Sequence, residues 1–99
     1  MVEKLMFEFP AGPETPAGRS RVGVVGSGNL EILLEPSPNK MSVVKVRTSV
    51  GGFAEQWKAV LERFFLRHKV AVVIEINDCG ASPPVVLLRL EQALEEARR

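Results

Sequence analysis

The feature that most restricts how this 99-residue chain can fold is a repeated change in the period of its apolar residues. Leu5, Phe7 and Phe9 alternate with Lys4, Met6 and Glu8, the two-residue period of a strand with one buried face. Pro10 stops that strand. Short β-rich runs follow at Arg21 to Val25, Leu30 to Glu35 and Met41 to Thr48, the last with Val44 and Val46 inward and Lys45 and Arg47 outward. The period then lengthens. Phe53, Trp57, Val60, Leu61, Phe64 and Phe65 share one side of a helix, and Glu55, Lys58, Glu62 and Arg63 take the other. A further strand from Ala71 to Ile76 turns Val72, Ile74 and Ile76 to the core, and a last helix carries Val86, Leu87, Leu90, Leu94 and Ala97 on its inner stripe. The predicted order is β-β-β-β-α-β-α.

Strands with one apolar face and helices with one apolar stripe are satisfied together when both helices cover the same side of one sheet. The fold class is therefore α+β, a two-layer sandwich with a single, mostly antiparallel sheet of about five strands and two helices on one face. A hydrophobic content of 45% and the absence of any repeat fit one domain over residues 1–99. The segment 10–20 is rich in Pro, Gly and Ala and lacks bulky anchors, which predicts an exposed, mobile loop. Tight turns are predicted at Gly26 to Asn29, Pro36 to Asn39 and Asp78 to Gly80. Ser82 is placed to cap the last helix, with Pro83 at its first position. If the hairpins are simple, the strands ending at Val25, Thr48 and Ile76 run the same way. The Ser27 turn, the segment from Thr48 to Gly52 and the segment from Asp78 to Ser82 then share one edge with both helix N-termini, a setting that suits anions and phosphate in particular.

Several function classes fall away. Thirteen basic residues against twelve acidic ones give a formal charge of +1, too little to gather a nucleic-acid backbone. No apolar stretch approaches a bilayer span, and Met1 to Pro10 carries Glu3 and Glu8 rather than a targeting pattern, so no membrane partner is expected and the cytoplasm is the expected compartment. Cys79 and His68 are each the single residue of their kind, which forbids an intrachain disulfide and a closed zinc site. Gly23, Gly26 and Gly28 precede a strand rather than a helix, against a dinucleotide fingerprint, and no Gly-Lys-Ser/Thr follows for a nucleotide triphosphate. Cys79 and His68 are predicted at opposite ends of the sheet, and both are read as chemically idle. Glu31 and Glu35 read as a solvated strand face, Trp57 and the phenylalanines as core. No catalytic residue and no metal ligand is assigned.

Ser27 stands apart. Its two glycine neighbours leave the hydroxyl uncrowded and allow the backbone positive φ, so the side chain can project into another protein's active site. Local composition alone favours an ordinary polar turn. However, the run from Val22 to Pro36 around Gly26-Ser27-Gly28, together with Phe7 to Gly12, Thr48 to Gly51, Asp78 to Pro83 and Arg89 to Gln92, resembles the acyl carrier (delta) subunits of malonate decarboxylase over nearly the whole chain. The related gamma subunit of citrate lyase shares the glycine-flanked serine but is less similar elsewhere. Asn29, where the family tends to an acidic residue, and Cys79, where it tends to an aromatic one, depart from the pattern.

The resemblance implies a non-catalytic carrier whose Ser27, flanked by Gly26 and Gly28, is joined by a phosphodiester to phosphoribosyl-dephospho-CoA. The thiol of that group would carry acetyl and malonyl as thioesters while malonate is decarboxylated to acetate and CO2. Implied partners are the transferase (alpha) and decarboxylase (beta and gamma) subunits, a holo-carrier synthase and a malonyl transferase. A citrate-lyase-type carrier, a non-covalent small-molecule-binding regulatory module and a purely structural subunit remain as alternatives.

Overall fold

A computed structural model describes residues 2–99. In chain order the elements are β1 (Glu3–Pro10), β2 (Ser20–Gly23), β3 (Asn29–Pro36), β4 (Met41–Thr48), α1 (Ala54–Arg67), β5 (Val72–Cys79) and α2 (Pro83–Ala97). The predicted order and fold class hold. One five-stranded sheet runs β1-β4-β5-β3-β2. All pairings are antiparallel except β4 with β5. Inward residues of every strand alternate with outward ones, as in Leu30, Ile32 and Leu34 against Glu31, Leu33 and Glu35. Each fully buried Leu or Ile of this kind contributes roughly 1.5–3 kcal/mol by leaving water. Trp57, Leu61, Phe64 and Phe65 of α1 and Val86, Leu90, Ala93, Leu94 and Ala97 of α2 close the same core from one side. The opposite face of the sheet is left to Lys4, Met6, Lys45, Arg47 and Glu75, all exposed.

Two of the simple hairpins do not form. β5 lies between β3 and β4, so the Pro36 to Lys40 turn passes over the start of β5, where the Ser37 N–H donates to the Ala71 carbonyl at 3.0 Å. β1 pairs with β4 rather than with its sequence neighbour β2. The physical reason is burial. β5 hides Val72, Ile74, Ile76 and Asp78, and a strand this enclosed is best placed where both of its edges are hydrogen-bonded. The edges fall instead to four-residue β2 and to β1, which ends in a proline. Strand directions survive the change. β2, β4 and β5 are mutually parallel, and their C-terminal ends share one edge.

Two strand boundaries moved by more than one residue. β2 stops at Gly23 rather than Val25, because Gly23 has φ +82 and a Cβ there would meet the Leu30 carbonyl oxygen at 2.2 Å. Val24 and Val25 leave the sheet and are 66% and 57% exposed. β5 runs on to Cys79 rather than Ile76, since Asn29 and Leu30 of β3 pair with Cys79 and Asp78.

The segment 10–20 forms no long element, but it is not the loose loop its composition predicts. Ala11 N–H donates to the Lys40 carbonyl, Glu14 N–H to that of Lys69, and Gly18 N–H to that of Ala97, while the Ala71 N–H returns a bond to the Glu14 carbonyl. Pro16 is buried. The segment is a strap across the end of the sheet opposite Ser27. Its one strong side-chain anchor is Glu14, which accepts from Arg98 Nε at 2.7 Å and Nη2 at 2.8 Å. Those charge-assisted bonds hold the Glu14 carboxyl below the ordinary glutamate range against a small opposing effect of burial.

A depressed carboxylate pKa stabilises the folded state above the unfolded pKa, and that stability is lost as pH falls through the folded value. Glu14→Gln is therefore expected to lower stability by no more than about 1 kcal/mol at neutral pH, since both partners are partly exposed. The difference from wild type should shrink as pH falls below about 4.3. Urea melts of both proteins at neutral and acid pH check this, and a gap that widens in acid would contradict it.

Candidate functional site

The Ser27 turn is built by three backbone constraints. The Asn29 N–H donates to the Gly26 carbonyl at 2.9 Å, Gly28 takes φ +72, and no non-glycine residue among those described has positive φ. That combination is a type II turn with Ser27 at its second position and glycine where the left-handed conformation is required. A tether to the sheet completes it. The Gly28 N–H donates to the Cys79 carbonyl at 2.7 Å. Ser27 and Gly28 are exposed, and a Cβ on either Gly26 or Gly28 would meet nothing within 4 Å. The hydroxyl thus stands on a fixed backbone with open space around it.

The other serines are mostly spoken for. Ser20 donates to the Ala93 carbonyl, Ser37 to that of Met41 and Ser42 to that of Val70. Ser49 and Ser82 are exposed but lack the glycine-flanked turn.

The three segments predicted to share an edge do so. The Ser49 N–H donates to the Asp78 carbonyl at 3.1 Å, next to the Gly28 to Cys79 bond. Asp78 was read from the sequence as a turn residue, yet its side chain is buried and organises the edge. Its Oδ2 accepts from Thr48 Oγ1 at 2.7 Å and from the Gly80 N–H at 3.1 Å, and its Oδ1 accepts from the Ala81 N–H at 2.9 Å. One carboxylate fixes the ends of β4 and β5 and the approach to α2.

Ser82 occupies the N-cap of α2 but makes no side-chain capping bond, because the helix opens with Pro83 and Pro84 and one usual N–H target is missing. α1 is also uncapped, with Phe53 at its N-cap and Glu55 in its first turn. The edge therefore offers fewer free helix N–H groups to an anion than the sequence suggested.

Two features escaped the sequence reading. Arg89 reaches from α2 to the Ser27 turn, where Nη2 donates to Asn29 Oδ1 at 3.2 Å, and Asn29 Oδ1 also accepts from the Leu30 N–H. Its Nε is buried without a partner and lies against Gly23. The signals in the sequence were a cation three residues after Val86, at the border of the apolar stripe, and its place in the Arg89 to Gln92 run that carries part of the resemblance. The second is a cleft of about 320 Å³ between the starts of α1 and α2, walled by Val50, Phe53, Trp57 and Val86 over a floor of Thr48 and Asp78. The helical spacing puts Phe53 with the core, but it occupies the N-cap position of α1 and is 46% exposed at this cleft.

His68, Glu31 and Glu35 are held in pairs. His68 Nε2 is 2.6 Å from Glu91 Oε1, beyond the start of β5, whereas Cys79 ends that strand. Glu31 pairs with Arg21 at 3.1 Å and Glu35 with Arg19 at 3.4 Å. No helix among the described residues is long and apolar enough to cross a membrane.

Replacing Asp78 with Ala strands a buried hydroxyl and two backbone N–H groups, so Asp78→Ala should lose about 3 kcal/mol. Chemical denaturation measures the loss, and a change under about 1 kcal/mol would show that the edge does not depend on this carboxylate.

Comparison with known proteins shows the family. The profile of the malonate decarboxylase delta subunit (MdcD), an acyl carrier protein family, matches residues 17–97. The malonate decarboxylase acyl carrier protein of Pseudomonas savastanoi pv. phaseolicola is 56% identical over 97 residues, 96% of each chain. Its namesake in Azotobacter vinelandii is 52% identical over 96 residues, again 96% of each chain. A chain in the crystal structure of a Pseudomonas malonate decarboxylase hetero-tetramer in complex with malonate superposes with a TM-score of 0.89 at 50% identity, covering 96% of this chain and 98% of that one. With the family profile matched over most of the chain and relatives more than half identical along nearly its whole length, the chain belongs to the malonate decarboxylase acyl carrier protein family.

Proposed function

We propose that the chain is the carrier subunit of a malonate decarboxylase complex and that Ser27 is where its prosthetic group, phosphoribosyl-dephospho-CoA, is attached through a phosphodiester. The observation that carries the reading is an exposed hydroxyl on a turn whose backbone is pinned to β5 while nothing crowds its side chain. Such a site fits a bulky covalent substituent, which needs open space on the outside and a fixed root within. The group supplies a thiol that carries acyl units as thioesters.

The protein's own contributions are mechanical and electrostatic. The Gly28 to Cys79 bond and the Asn29 to Arg89 contact hold the turn in one conformation, so the hydroxyl reaches a synthase with little ordering left to do. Arg89, bonded to Asn29 through Nη2, puts a cation beside the turn, where its charge favours a phosphate. No group of this chain moves a proton or attacks a substrate. Chemistry belongs to the transferase and decarboxylase subunits, and the carrier raises the local concentration of the acyl group at each. The holo-carrier synthase and the malonyl transferase are its further partners, and the cytoplasm its place of action.

Ser27→Ala removes one exposed oxygen and should change stability by no more than about 0.5 kcal/mol. Intact mass after incubation with synthase and the activated prosthetic group should show an adduct on wild type and none on the variant. Peptide mapping that found the adduct at Ser49 or Ser82 would falsify the assignment. With a folded, unloaded variant, malonyl transfer and CO2 release by the reconstituted complex should fall to background.

A further inference from the structure

The cleft beside the Ser27 turn leaves apolar surface uncovered. Val50 and Phe53 stand 40% and 46% exposed at its mouth, and Trp57, Val86, Ala81 and Pro83 complete walls that enclose about 320 Å³. That volume lies at the small end of the range that holds organic ligands, and apolar surface of this kind gains by being covered. Its rim is adjacent to the proposed attachment point. Gly80 lines the cleft, a Cβ on Gly80 would lie 4.0 Å from the Gly28 nitrogen, and the Gly28 N–H is bonded to the Cys79 carbonyl.

Charge decides what can enter. No Lys, Arg or His lines the cleft, and its floor carries the Asp78 carboxylate, already saturated by Thr48, Gly80 and Ala81. The helix starts give little relief to an incoming anion. Pro83 and Pro84 have no N–H to offer, and the first turn of α1 already holds Glu55. A second carboxylate buried here would be unpaired and close to Asp78, which is strongly unfavourable. A neutral thioester meets no such obstacle.

We propose that this cleft is a binding site for the neutral acetyl-thioester end of the arm on Ser27 and excludes the malonyl-thioester end, so that the carrier itself distinguishes its two acyl states. The inference rests on Ser27 being the attachment point. A tether rooted one residue from the rim presents its own end at millimolar effective concentration, so a weak site suffices. In the acetyl state the thioester is shielded beside Trp57, and in the malonyl state the arm remains in solvent, available to the decarboxylase subunits.

Trp57 is the single tryptophan of the chain and lines the cleft, which makes its fluorescence a local reporter. S-acetylpantetheine and S-malonylpantetheine are titrated separately into unloaded wild-type protein, with Trp57 emission and the amide resonances of Val50, Gly80 and Ala81 followed together. The acetyl compound should shift the emission to shorter wavelength and move these amides, saturating in the millimolar range, and the malonyl compound should bind at least tenfold more weakly. Protein loaded at Ser27, verified by mass, should repeat the contrast between its acetyl and malonyl forms. Ala81→Leu, which fills the cleft, should abolish the acetyl response while leaving loading intact.

Equal responses to the two acyl compounds, or none in either the free or the loaded experiment, would overturn the proposal. Amide shifts at this cleft that arise only on adding the decarboxylase subunits would assign it to a partner and overturn it equally. Failure of the two readings is distinguishable. An acetyl-specific response without any adduct at Ser27 removes the attachment reading and leaves the cleft, whereas an adduct without the response removes the cleft alone. Should Ala81→Leu fail to fold, the acetyl and malonyl comparison on wild type decides the matter by itself.

Discussion

The parallel pairing of β4 with β5 is the constraint on which everything at the Ser27 edge depends, and buried hydroxyls lock it at both ends. At one end Ser42 Oγ donates to the Val70 carbonyl and accepts from the Val72 N–H, each at 2.9 Å. At the other, Thr48 Oγ1 donates to Asp78. A slip by one residue would bury Lys45 and Arg47 and expose Val44 and Val46, and both hydroxyls would lose their partners. Because parallel neighbours need a crossover, α1 must span from the end of β4 to the start of β5. That brings the N-terminus of α1 to the serine edge, and α2, leaving β5, starts at the same place. The cleft is the gap between those two starts.

The opposite end of the molecule is held in a different way. The 10–20 strap joins β1 to β2 across the sheet, bonded to Lys40, Lys69 and Ala97 through backbone groups and to Arg98 through Glu14. Two central strands and the last turn of α2 are tied there, far from Ser27. A carrier handled by several subunits gains from this division. One edge is left with exposed Val24, Val25, Val50 and Phe53 around the serine, and the other end carries the connections that keep the scaffold whole.

Charge follows the same logic. A formal charge of +1 with both signs spread over the surface gives little long-range field to steer partners, in contrast to the strongly acidic helical acyl carrier proteins. What the serine edge offers instead is shape and exposed apolar surface. The serine itself is presented by a turn between two strands rather than at a helix start, so its rigidity comes from the Gly28 to Cys79 bond and from Arg89 on Asn29.

The sequence alone determined the elements, their order and the face each one buries, because residue periodicity is a local property that packing only has to satisfy. It also pointed to Ser27, through the resemblance of nearly the whole chain to a carrier family, since a serine between glycines by itself reads as an ordinary polar turn. Strand direction, too, followed from counting, and with it the gathering of three segments at one edge. The position of β5 between β3 and β4 was decided by tertiary structure, because which strand becomes central depends on comparing the burial of all of them at once. Asp78 as a buried acceptor, Arg89 on Asn29 and the strap at 10–20 were hidden for the same reason. They depend on contacts between residues distant in the chain, which no periodicity or composition reports, whereas the N–H that Pro84 removes from the Ser82 cap was already legible in the sequence.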